Sequence, residues 1–256
     1  MVRGARPSRG QKNSKAKRAT MIQRPVLRLA AVLSILSPLL ILAAAPFAAR
    51  LRGAGGPGPI DFGDEKVLMQ LHGLLPAAIW VDTVALIGPT LAFGIGAGWY
   101  LMLRRTSTFA LYGTVLLYVG LIFIVAQDAL QLAFVSRLPA AYVAASDSTK
   151  PAILVIGATL AYTIEVLATV GIINYVGTFI LYLVTLRTPR IPKWIGGLGA
   201  LVSALAILSS LLVLVLPQIP LLGIGRPIGI LANIVLGIPL GIVMWRWMDS
   251  EAPATA

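Results

Sequence analysis

Of 256 residues, 58% are hydrophobic and 12% charged, and the 21 Lys and Arg outnumber the 9 Asp and Glu. Several apolar runs exceed the ~20 residues that carry a helix across a bilayer, and they are continuous rather than ten-residue alternating segments; the composition therefore describes an integral membrane protein made of helices and excludes a β-barrel. The absence of cysteine excludes disulfides, cysteine zinc sites, iron–sulfur clusters and thiol nucleophiles.

The chain opens on a basic tail, residues 1–26, that contains no aromatic residue and runs straight into an apolar segment. It reads as a disordered topology signal with affinity for anionic lipid headgroups and not as a nucleic-acid arm. Met21 is a second candidate start. The first span covers Leu27–Ala49. Its basic approach and the small-residue run "AAAPFAAR" also fit a cleavable signal peptide, although both regions are long for one.

The loop that follows, 50 to 75, starts with the turn-rich "RLRGAGGPGP" and ends in "DEKVLMQLHGLL". There Asp64 can cap a helix, and Val67, Leu68, Leu71, Leu74 and Leu75 recur at helical spacing, which predicts a short amphipathic helix on the outer surface or over the bundle. Further spans are expected at Pro76–Leu103, Thr108–Val135, Pro151–Leu186, Trp194–Leu216 and Ile224–Trp247. The fold class is thus all-α, a polytopic bundle of six transmembrane helices (27–247) with one amphipathic outer helix and a short tail at 248–256. Six spans put both termini on one side. With the termini in the cytoplasm, fifteen of the 21 basic residues lie inside and six (Arg50, Arg52, Lys66, Arg137, Lys150, Arg226) outside, which decides the orientation.

Two glycine patterns stand out. "FGIGAG" (Phe93 to Gly98) lies inside a span with no strand before it, so it is a packing feature and not a nucleotide fingerprint. Gly225, Gly229, Asn233, Gly237 and Gly241 recur at every fourth position and predict a smooth helix face that a neighbour can approach closely; Pro239 should kink the same span. The single histidine, His72, has no partner for a catalytic zinc, and no serine stands in a nucleophile elbow. Trp80, Trp99, Trp194, Trp245 and Trp247 all fall near span ends, as an aromatic belt would.

"TFILYLVTLRTPRIPKWIGGLGAL" (Thr178 to Leu201) closes one span on a Leu-Tyr segment, crosses a short basic loop and opens the next on Pro-Lys-Trp-Ile-Gly. In this it resembles the bacterial six-span family catalogued as domain of unknown function 4386. The similarity extends to the span spacing, the outer helix and a last span ending in Trp and Arg, and its specific part is Ile191–Leu198. The resemblance implies the fold and a bacterial plasma membrane, and supplies neither a reaction nor a catalytic residue.

Three carboxylates lie within spans. Asp82 stands 22 positions before Arg104, Asp128 23 after Arg105, and Glu165 22 before Arg187. At helical rise, all three sit ~33 to 35 Å from their basic anchors, level with one another near the outer edge of a ~30 Å hydrocarbon core. Gln127, Gln131 and Tyr162 flank them, and Gly157 and Ala161 share the Glu165 stripe, which would turn Glu165 toward another helix. Two readings stand: an outward-facing acidic vestibule that binds a proton, a metal cation or a cationic solute, or three boundary acids that are hydrated or paired with Arg137, Lys150 or Arg52. By the same count Asn174 and Asn233 lie near mid-membrane, where each amide requires a partner, and they are expected to bond to other helices or to each other.

The alternative classes are a non-catalytic scaffold that associates with a membrane partner or a second copy through the glycine face, and a membrane enzyme, for which no constellation of nucleophile, base and oxyanion donors is visible. The expected surroundings are the lipid bilayer, with no cofactor and no nucleic acid.

Overall fold

A computed structural model describes residues 24–44, 46–47, 62–215 and 225–250, with side chains described to Leu212 in the eighth helix and from 235 to 248 in the last. Most of the basic tail, Arg50 and Arg52 in the first loop, the side chains of Gly225, Gly229 and Asn233, and the last six residues lie outside the described residues. Among the described residues every element is an α-helix: α1 (Arg24–Ala44), α2 (Glu65–Gly73), α3 (Leu75–Leu103), α4 (Phe109–Val135), α5 (Leu138–Ala144), α6 (Lys150–Val170), α7 (Ile173–Arg187), α8 (Lys193–Val215) and α9 (Gly225–Ser250). Five stretches, namely α1, α3, α4 with α5, α6 with α7, and α8, are long and apolar enough to cross a membrane. In α9 the described apolar part is the shorter Val235–Met248.

Each long helix packs on its neighbours in the chain, and α1 closes the ring against α9. In lipid this packing rests on close van der Waals contact rather than on the hydrophobic effect, so small residues sit at the seams. Along α4 and α7 the backbones meet so closely that a methyl on Gly120 would overlap Asn174, and one on Gly177 would overlap Leu117. On α9 the same holds for Gly237 and Gly241, which lie against Ser34, Pro38 and Ala31 of α1. The central cluster runs from Ala30 and Ala31 through Trp99, Met102 and Leu181 to Leu240 and Met244. Its polar members are satisfied: Trp99 Nε1 donates to Thr185 Oγ1 at 3.2 Å, Thr185 donates to Leu181 O, and Ser34 Oγ donates to Ala30 O at 2.8 Å.

A second apolar cluster forms a cap at one end of the bundle. It joins Phe62, Leu68 and Leu71 to Ala78, Val135, Leu138 and Tyr142. Asp64 starts α2 as expected, with extended backbone and a carboxylate that accepts from Lys66 N at 2.8 Å. Leu68 and Leu71 turn inward while Met69, Gln70 and His72 remain exposed. The opposite end is tied by Thr188, whose hydroxyl donates to Val184 O and lies 3.3 Å from the Thr106 hydroxyl, and by Lys193, whose ammonium bonds the carbonyls of Leu186 and of the cap residue Thr188 at the end of α7. Arg190 lies over the Trp247 ring at 5.5 Å.

Three expectations need correction. The span expected at Pro151–Leu186 is two helices. Ile172, Asn174 and Tyr175 donate to the carbonyls three residues back, so a tight turn at Gly171–Ile172 interrupts the α-helical ladder where glycine weakens it. The stretch after Val135 carries a seven-residue helix, α5, with Pro139 in its first turn. Trp99 is no belt residue; it is 3% exposed and meets Tyr182 edge to face at 4.5 Å.

Candidate functional site

Between the two apolar clusters lies a polar layer built by α3 and α4. On α3 it follows Ala78 of the cap and precedes Ala92 and Phe93, which pack on the central cluster. On α4 it follows Leu121 of the central cluster and precedes Val135 of the cap. Gln127, Asp128 and Gln131 occupy this interval, and their spacings of three and four residues make them neighbours on the helix surface.

Asp82 is the buried member, at 4% exposure. Its Oδ1 accepts from Gln131 Nε2 at 2.8 Å, a bond that crosses from α4 to α3. Its Oδ2 is buried and accepts no hydrogen bond. Asp128 is half-buried and accepts from Gln127 Nε2 at 3.3 Å.

The layer does not gather all the acids. Glu165 is exposed, on a side of α6 that also carries Tyr162, 70% exposed, and Val166. Gly157 and Ala161 turn toward the cap, with Gly157 against the carbonyl of Phe62, but the drift of about 80° over eight residues carries Glu165 out of that contact. Small residues on the stripe therefore mark where Phe62 docks and not where Glu165 points. Among the described residues no three of His, Cys, Asp and Glu come together as metal ligands.

Among the described residues no cation pairs with Asp82, and Arg52 lies outside them. Lys150 pairs instead with Asp147 at 2.9 Å in the loop before α6, where its hydrogen bond holds the Asp147 carboxyl below the usual carboxylate range.

The amide expected at mid-membrane also departs from expectation. Asn174 begins α7 just after the helix break and packs on Gly120, but its Oδ1 is buried without a hydrogen bond instead of reaching another helix. Nothing in the sequence distinguished Gly120, which proves to be the close-approach point of the α4–α7 seam, from the other glycines of the chain.

No family model, no curated protein and no solved structure matches the chain.

Proposed function

We propose that this chain is a six-span protein of the bacterial plasma membrane, with both termini cytoplasmic, that binds a proton or a small cation at Asp82 from the outer side. One observation carries the reading: a carboxyl buried between α3 and α4 has one oxygen on Gln131 and the other on nothing. A carboxylate buried between apolar helices is costly, and a buried charge is retained where something neutralises it. A proton or a cation at the open Oδ2 does so.

The excess of basic residues at the end opposite the cap supports the orientation, and the stretch Ile191–Leu198 supports kinship with the six-span family it resembles. Glu165 and Tyr162 do not belong to this site, and Gln127 and Asp128 form its half-buried margin.

The test is proton release or uptake by the purified protein on addition of sodium, potassium, magnesium or calcium, and under a pH step without them. The wild type is expected to exchange one proton that D82N does not. Equal exchange by D82N and wild type would overturn the assignment.

A further inference from the structure

The polar layer is closed on the cap side. Ala78 stands one turn before Asp82 on α3, and Val135 one turn after Gln131 on α4, so the residues directly beyond the pair are the floor of the cap cluster. Both are buried, at 1% and 0% exposure, and Phe62 seals the cluster above them at 1%. An ion coming from that side meets a dry apolar plug before it meets the carboxyl.

The plug rests on short elements. Phe62 belongs to no helix; it sits in the turn that leads into α2. The two helices around it, α2 and α5, have nine and seven residues, below the length at which a helix is stable without packing. What seats Phe62 is its approach to α6 at Gly157, where the Phe62 carbonyl occupies the volume that any side chain would need. Short elements that hold their place only through such packing are the kind from which lids are drawn.

We infer that Phe62, carried on α2 and seated on Gly157, is a hydrophobic gate over Asp82, and that the site exchanges its proton or cation only when Phe62 leaves that seat. The inference rests on the reading of Asp82 as the site, and names what controls access to it.

Because the chain has no cysteine, D82C gives a single thiol at the site. Its rate of reaction with a water-soluble, positively charged methanethiosulfonate is measured in unsealed membrane fragments, where orientation does not matter. With the native cap the thiol is expected to react slowly. Adding F62A, which removes the plug, or G157L, which displaces its seat, should each raise the rate at least tenfold, while F62L should leave it slow. The two opening variants act on opposite sides of one contact, so either one that folds decides the matter. A native-cap rate already as fast as free thiol, or no acceleration in the folded variant, overturns the gate. D82C carries no carboxyl and reads access alone, so a failure of ion binding in the wild type would leave this result standing and would count only against the site.

Discussion

Gln131 Nε2 donates to Asp82 Oδ1 at 2.8 Å across the α3–α4 contact, and the second oxygen of that carboxyl, equally buried, has no hydrogen-bond partner. The pair is therefore half satisfied at a level where a polar group without a partner is costly. The cost of that arrangement can be measured residue by residue.

Removing Gln131 should cost more than its one hydrogen bond. In Q131L the Asp82 carboxyl loses its one hydrogen-bond donor among the described residues, so thermal or denaturant unfolding in detergent should show a loss of about 1–3 kcal/mol. The double variant D82L/Q131L replaces both polar groups with apolar ones of similar size and should recover most of that loss, since an empty polar pair is nearly neutral where a broken one is not. A double variant as unstable as Q131L would show that the two residues do not act as a pair.

The glycine face on α9 gives a second prediction. Gly237 and Gly241 are already covered by α1, with Ser34 O and Ala31 O each 2.9 Å from where a Cβ would stand. G241L should therefore destabilise the single chain by roughly 1–3 kcal/mol, the range for overpacking. Size-exclusion with light scattering and thermal melts separate the outcomes: a lower melting temperature at unchanged mass is expected, and a change of mass at unchanged melting temperature would restore the scaffold reading.

In the core, T185V should remove the partner of Trp99 Nε1 and cost about 1 kcal/mol. A shift in tryptophan emission that is absent from W99F/T185V would assign the change to Trp99.

Asp147 sets the acid limb at the surface. Its carboxyl lies lower in the folded chain than unfolded, because Lys150 bonds it. The pair's contribution is thus present above the unfolded carboxylate value of about 3.9 and is lost as pH falls through the folded one. The group is fully exposed, so D147N should melt only slightly below wild type at pH 7, and the two should converge in acid. Melts from pH 7 downward that diverge instead would contradict this assignment.

How far the sequence reaches is visible in particular residues. Asp64 and the Leu68, Leu71 spacing specified α2, because a cap and an amphipathic period are local signals. Counting along α3 and α4 put Asp82 and Gln131 within reach of one another, and they do meet; the count from Arg187 to Glu165 runs through the break at Gly171. Rotation about the axis was not legible. α3 and α4 are apolar on every side, so no polar face tells which acid turns inward, and Asp82 is buried while Glu165 is exposed. α5 was hidden because seven residues with an early proline read as loop, and only the cap cluster holds them helical. The break at Gly171 was hidden by the apolar residues on both sides of it, which continue the hydropathy of one long span.

The central claim is that the Asp82 carboxyl is the group that gains and loses a proton or a cation. Infrared difference spectra between acid and alkaline pH, and with and without added cation, report carboxyl groups directly in wild type, D82N and E165Q. The account predicts a carboxyl band that changes with pH or cation in wild type and E165Q and is missing from D82N. A band that persists in D82N and disappears in E165Q would contradict it.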